Sequence, residues 1–315
     1  MTSQQYSQVS VPASTSNLGP GFDLFGLALD LQLEVHCLGP AAGDQHALIT
    51  RDGTASEWPN TPENTLFRAF DRVAQEIGVE PIPHEFRVYS AIPVARGLGS
   101  SGAACAAGLL LGAEAYAPTG QQLARTELVR LGIELEGHPE NSTASLLGGA
   151  VLCLPESDGA VHVVRQPIAP NLRFVAAWPS TRIATLEARS VLPKQVAFAD
   201  AVENPRRLAL LLEGLRTGEA TLLRAGVQDR LHVPYRLPLI AGGEDALRDA
   251  LEAGAHCATI SGSGSTLFAI CAEEAVASVC AAFTQALTAH HDKVTAREVH
   301  VVTEAPEVIR VTLAE

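Results

Sequence analysis

Between Pro93 and Glu114 the chain reads PVARGLGSSGAACAAGLLLGAE, and the glycines at 97, 99 and 102, with Ser100 and Ser101 among them, could hold an anion. Glycine reaches positive φ without strain and lets backbone N–H groups converge on one point. The apolar run from Ala103 reads as a helix, whose first turn adds unpaired N–H donors and a partial positive charge. The two hydroxyls can donate to a phosphate or ligate a divalent cation. Such a site needs no lysine. The same residues would also serve simply to begin a buried helix, and the loop by itself leaves both readings open.

Three named motifs come close to this loop. Gly97, Gly99 and Gly102 spell G-x-G-x-x-G. A dinucleotide fold also needs an acidic residue at the end of the next strand, about 20 residues on. Residues 117–122 read APTGQQ and lead into a helical pattern, and Pro93 and Arg96 separate the glycines from the preceding strand, so the context is wrong. A Walker A loop needs a lysine. Only Lys194 and Lys293 are present among 22 basic residues, and neither is near. Residues 99–103, GSSGA, miss the G-x-S-x-G nucleophile elbow at its last position.

Composition bounds the rest. A chain of 315 residues, 47% hydrophobic and 18% charged, can bury a large core. Its net charge of −13 argues against nucleic acid and anionic membrane as partners, since both would be repelled. The six cysteines, at 37, 105, 153, 257, 271 and 280, contain no C-x-x-C and read as reduced thiols. MTSQQYSQVSV lacks the pattern of a signal peptide, and the apolar run 103–113 is far short of the roughly 20 residues a bilayer requires. A cytoplasmic protein is expected.

The elements that must position the loop follow from periodicity. Leu29, Leu31, Leu33 and Val35 alternate with polar residues as a half-buried strand. Asn64 caps a helix carrying Leu66, Phe67, Phe70, Val73, Ala74 and Ile77 up to Gly78. EFRVYSAI is a strand leading into the loop, 103–116 a buried helix and 121–136 a second helix. GGAVLCLP and VHVVR form a hairpin turning near 157–159. QPIAPN, at 166–171, interrupts the pattern and marks a boundary, dividing the chain into 1–165 and 166–315. Beyond it come a strand at RFVAAWP, helices over 195–225 and at 244–253, two strands around the glycine-rich turn of CATISGSGSTLFAICA, a helix at 274–289, and strands near REVHVV and VIRVTLA. Strands and helices mix without a strict βαβ rhythm, which predicts an α+β fold.

The loop resembles the P-x-x-x-G-L-G-S-S-x-A signature of the GHMP kinases. VPASTSNLGPGFDLFGLAL (11–29) and ISGSGSTLFAI (260–270) resemble two further stretches of that superfamily, in its order. Within it, PASTSNLGPGFD, EGHPEN (136–141), TLEARSVLP (185–193) and DRLHVPYRLPLIAG (229–242) are similar to homoserine kinases, so the likeness spans nearly the whole chain. Ser265 stands where relatives usually carry proline, Glu140 where they carry aspartate, and NSTAS where N-V-A-x-A is commoner; the last of these could reshape the substrate pocket.

The resemblance implies a two-domain GHMP kinase fold: an N-terminal domain like the second domain of ribosomal protein S5 and a ferredoxin-like C-terminal domain. It implies ATP-dependent, Mg2+-assisted phosphorylation of the side-chain hydroxyl of L-homoserine in threonine biosynthesis, with pantoate or mevalonate as alternative hydroxy acids. Family members are commonly homodimers. By the same resemblance Pro93, Arg96, Gly97, Leu98, Gly99, Ser100, Ser101 and Gly102 bind ATP, with the nest at 97–102 on its triphosphate and Ser100 on a phosphate oxygen, and Ser101 and Glu136 ligate Mg2+. Asn64 reads the adenine, although its role as a helix cap competes. Arg189 and Arg236 clamp the carboxylate, Asp23 faces the ammonium, and Asn17 and Asn141 orient the hydroxyl beside His138 and Thr185; Asn141, Asn17 and Arg189 form the expected catalytic set. Mevalonate-type relatives carry an aspartate at the position of Asn141. An asparagine cannot take a proton at neutral pH, so no side-chain base is expected. The turn at Gly262 and Gly264 either closes on the nucleotide side of the cleft or is a plain hairpin connection.

Overall fold

The computed structural model describes residues 5–117 and 123–312. The chain opens on two long antiparallel strands, β1 (Gln5–Asn17) and β2 (Gly21–Pro40), joined by a turn in which Asn17, Leu18 and Gly19 all have positive φ. Leu29, Leu31, Leu33 and Val35 of β2 face the core, as their alternation predicts. Next come β3 (Ala47–Gly53), α1 (Thr65–Glu76) and β4 (His84–Ser90), then α2 (Ser100–Tyr116), α3 (Arg125–Glu136) and α4 (Glu140–Leu147). The hairpin β5 (Ala150–Pro155) and β6 (Val161–Arg165) forms as expected. The reading 121–136 differs from α3 at its start: the helix begins at Arg125, where the Glu127 carboxylate accepts from the Ala124 N–H at 2.6 Å, and residues 121 and 122 lie outside the described residues.

α2 is apolar on all sides and is buried accordingly, packed against β1, α1, α3 and α4. α4 was not legible in the sequence, because ENSTASLL is short and Asn141, Ser142, Thr143 and Ser145 are weak helix formers. Burial of every residue from Glu140 to Leu146 overrides that preference.

The second half runs β7 (Arg173–Pro179), α5 (Thr185–Ser190), α6 (Phe198–Thr217), α7 (Ala220–Gly226), α8 (Val233–Arg236), α9 (Gly243–Glu252), β8 (Cys257–Ile260), β9 (Leu267–Cys271), α10 (Val276–Thr288) and β10 (Val294–Val299). The helices expected over 195–225 are α6 and α7, separated where Gly218 turns left-handed. β10–β7–β9–β8 form an antiparallel sheet with the βαββαβ order of a ferredoxin-like unit. The last strand, β11 (Ile309–Thr312), does not join it. Although it falls within 166–315, it pairs with β1 at the edge of the first sheet, whose order is β11–β1–β2–β4–β3 with β5 attached to β2 and β6 to β5. The larger hydrophobic core likewise runs from Val11 and Phe70 through to Phe174, Leu211 and Phe268. All six cysteines are free thiols; burial pushes Cys257 up to about 12. Among the described residues no helix is long and apolar enough to cross a membrane.

Candidate active site

The glycine loop leaves β4, and Gly99, left-handed at φ +66, caps α2, so that Ser100 and Ser101 form its first turn. That turn opens into a cavity lined by residues 95–102, Ser16, Asn17, Asp23, Glu136, His138, Glu140, Asn141, Thr185, Arg189, Arg236, Gly262 and Ser263. The glycine-rich turn between β8 and β9 packs against the loop, and its Gly262 and Ser263 line the same cavity. The Ser261 hydroxyl donates to the Gly97 carbonyl at 2.6 Å, the Gly262 N–H to the Ser16 carbonyl at 3.0 Å and the Thr266 N–H to the Arg96 carbonyl at 3.1 Å. Asn17 closes the clasp: its Nδ2 donates to the Gly262 carbonyl at 3.1 Å, and its Oδ1 accepts from the Asp23 N–H at 3.0 Å.

Opposite charges line the far wall. Arg189, on α5, donates two hydrogen bonds to the Asp23 carboxylate, at 2.8 and 3.1 Å. The hydrogen bonding to Asp23 raises the guanidinium pKa against the effect of burial. Arg236, on α8, is 2% exposed, and burial followed by repulsion from Arg189 pushes its pKa down to about 10, so it stays charged at neutral pH. The Phe22 ring lies between the two guanidiniums, 5.6 Å from Arg189 and 5.0 Å from Arg236.

The floor is a polar network. The Ser14 hydroxyl donates to Asn141 Oδ1 at 2.9 Å, while Asn141 Nδ2 donates to Ser16 Oγ at 3.1 Å and to Glu140 Oε1 at 3.0 Å. A carboxylate only accepts, so Glu140 fixes which end of the amide is which. Burial opposes charge on Glu140 and on His138, but their mutual attraction prevails, lowering the pKa of the acid and raising that of the imidazole. Ser101 Oγ donates to Glu136 Oε1 at 2.6 Å, and burial raises the pKa of Glu136.

Comparison with known proteins gives the family of the chain. Residues 64–149 match the GHMP kinases N terminal domain and 211–289 the GHMP kinases C terminal domain. A homoserine kinase of Synechococcus sp. (strain RCC307) is 45% identical over 265 residues, covering 84% of this chain and 83% of that protein. The chain belongs to the homoserine kinase family of GHMP kinases. The crystal structure of homoserine kinase from Cytophaga hutchinsonii superposes with a TM-score of 0.84 at 28% identity, covering 98% of both chains. A mevalonate kinase structure, at 13% identity and a TM-score of 0.65 over 94% of this chain and 99% of that one, shares the fold. Homoserine kinases are phosphotransferases, so the cavity is read below as a kinase site.

Of the expected residues, two lie elsewhere in this homoserine kinase family member. Asn64 is 3% exposed, and its amide is committed: Oδ1 accepts from the Leu66 N–H at 2.9 Å and Nδ2 donates to the Pro59 carbonyl at 2.7 Å. Pro93 lines an adjoining cavity with Thr54, Trp178 and Pro179, and Arg96 borders both. Arg96 does line the main cavity, but its N–H groups donate to the carbonyls of Val94, Pro179 and Ser180, anchoring the loop to the end of β7. Residues 142–145 of NSTAS do not reach the cavity; the Ser145 hydroxyl bonds the Pro12 carbonyl at 2.9 Å instead. Ser265 donates to the Thr181 carbonyl at 2.6 Å, a bond that proline could not make. Ser14, Ser16 and Glu140 were missed as site residues. The signal for Glu140 was its place between His138 and Asn141; the two serines look like ordinary strand residues.

Proposed function

We propose that the chain transfers the γ-phosphoryl group of ATP to the side-chain hydroxyl of L-homoserine, giving O-phospho-L-homoserine for threonine biosynthesis in the cytoplasm. One observation carries this reading: the anion-binding helix start and an Arg189–Asp23–Arg236 set matched to a zwitterion line the same cavity. Pantoate and mevalonate carry a carboxylate but no ammonium, and offer Asp23 nothing in exchange for its pair with Arg189.

The backbone N–H groups of 97–102 and the hydroxyls of Ser100 and Ser101 hold the triphosphate. The Ser101 hydroxyl and the Glu136 carboxylate are hard oxygen donors, and a buried carboxylate with a raised pKa favours a cation beside it, so they fit Mg2+. When bound, Mg2+ supplies charge neutralisation on the phosphates. Among the described residues no group of three His, Cys, Asp or Glu is placed to hold a metal ion, and phosphate oxygens and water would supply the other ligands.

Arg189 and Arg236 take the carboxylate and Asp23 the ammonium, which aligns the hydroxyl for in-line attack. Both Asn141 Nδ2 hydrogens are engaged and Oδ1 accepts from Ser14, so the second lone pair of Oδ1 is what can accept from the substrate hydroxyl. A new O–P bond forms as the bond to the β-phosphate oxygen breaks; the proton leaves late, to a phosphoryl oxygen and then to solvent. A loose transition state needs little activation of the nucleophile.

Asn141→Ala should lower kcat by about tenfold to a hundredfold and leave the acid limb of the pH–rate profile in place. Disappearance of a steep acid limb near neutrality in that variant would show that the asparagine side chain governs a proton transfer, and would reject the scheme. Glu136→Gln should raise the Mg2+ concentration needed for half-maximal rate by about tenfold or more. An unchanged Mg2+ dependence would remove Glu136 from the metal site. The deciding experiment is ATP- and Mg2+-dependent ADP release over homoserine, threonine, serine, mevalonate, pantoate and galactose. Activity with homoserine alone supports the reading; none with homoserine, or equal activity with mevalonate, overturns it.

A further inference from the structure

His232 lies outside the cavity lining and is completely buried, yet both of its ring nitrogens have defined partners. Nε2 stands 2.8 Å from the Gly19 carbonyl, in the turn between β1 and β2. Nδ1 stands 3.4 Å from Nη1 of Arg236, one helical turn further on. A carbonyl only accepts and a guanidinium only donates. The ring is therefore neutral, with the proton on Nε2 and a lone pair on Nδ1 aimed at Arg236. Burial lowers its pKa and keeps it neutral, against the pull of Asp229, whose Oδ2 is 3.9 Å from Nε2. Phe22, 5.0 Å from the ring centroid, and the more distant charge of Asp23 complete its surroundings.

The consequence is for Arg236. Its Nε–H donates to the Ala188 carbonyl at 3.1 Å, and Nη1 divides its hydrogens between the Gly262 carbonyl, at 3.1 Å, and His232. Among the described residues no acceptor takes the hydrogens of Nη2, and Arg236 lines the cavity. Three acceptors thus fix the guanidinium plane and leave one nitrogen for a ligand.

We propose that His232 is a positioning residue, whose Nδ1 lone pair orients Arg236 and thereby sets affinity for the substrate carboxylate. This rests on the homoserine reading above. Two variants divide the imidazole. Asparagine can place an acceptor near the position of Nδ1; glutamine can place a donor near that of Nε2.

His232→Gln should raise KM for homoserine by about tenfold, His232→Asn by no more than about threefold, with KM for ATP unchanged in both. 3-Aminopropanol, which is homoserine without its carboxylate, should be used equally poorly by wild type and by both variants. Equal losses in the two variants, the reverse order, a wild-type KM in His232→Gln, or a parallel rise in KM for ATP overturns the proposal. If neither variant folds, 15N-histidine NMR of the wild-type chain decides: a buried ring protonated on Nε2 and bare on Nδ1, whose Nδ1 resonance moves when homoserine binds, supports it. The opposite tautomer, or a charged ring at neutral pH, overturns it. A wild-type chain inactive on homoserine rejects the substrate reading instead, and the tautomer still decides whether His232 accepts from Arg236.

Discussion

Gly97→Ala is expected to lose more than about a hundredfold in kcat/KM for ATP and to destabilise the fold by about 2–4 kcal/mol. Gly97 sits at φ +74, and a Cβ there would stand 2.2 Å from the Ser261 carbonyl oxygen and 2.9 Å from both N and O of Gly264. None of these atoms belongs to a flexible side chain. The β8–β9 turn that carries them is bonded to Ser16, Asn17, Arg96 and Gly97 itself, so it can move only by releasing the loop. Gly159 is the control: its φ is +88, but nothing lies within 4 Å of the added carbon, so Gly159→Ala should show the backbone strain alone, about 1 kcal/mol. The checks are ATP kinetics and denaturant unfolding of both variants. Wild-type ATP kinetics in Gly97→Ala would mean that the loop does not seat the triphosphate.

Arg189→Ala should fall by about 10²–10³-fold in kcat/KM for homoserine, with KM for ATP little changed. Its effect on stability should be small, no more than about 1 kcal/mol, because the pair with Asp23 is about a third exposed and screened by solvent. The two effects separate because the ion pair serves different ends in the two states. Without substrate the opposite charges satisfy one another. A zwitterion offers a carboxylate to Arg189 and an ammonium to Asp23, exchanging one internal pair for two. Steady-state kinetics with each substrate varied, together with a thermal melt, test this. A loss of activity that tracked a loss of Tm would assign Arg189 to folding rather than to the substrate.

The sequence by itself determined the α+β class, most elements, the anion-binding loop and the homoserine kinase resemblance. These depend on local rules: the period of apolar residues, the glycine spacing before a helix, and short ordered motifs. The structure then brought Asn17, Asp23, Glu136, His138, Asn141, Thr185, Arg189 and Arg236 to one cavity with the loop.

What the tertiary structure alone decided is how hydrogen-bonding capacity is spent. Asn64 and Arg96 are of the right types for a nucleotide, but nearby carbonyls and an N–H occupy their polar atoms. α4 forms although Asn141, Ser142, Thr143 and Ser145 are weak helix formers, because burial against β1, β2 and α2 outweighs their propensity. β11 pairs with a strand some 300 residues earlier, a choice no local pattern encodes. His232 stands in the sequence only as one residue of DRLHVPYRLPLIAG; its tautomer comes from Gly19, more than 200 residues away. A side chain's type is written locally, whereas its partners are set by chain segments that meet only on folding.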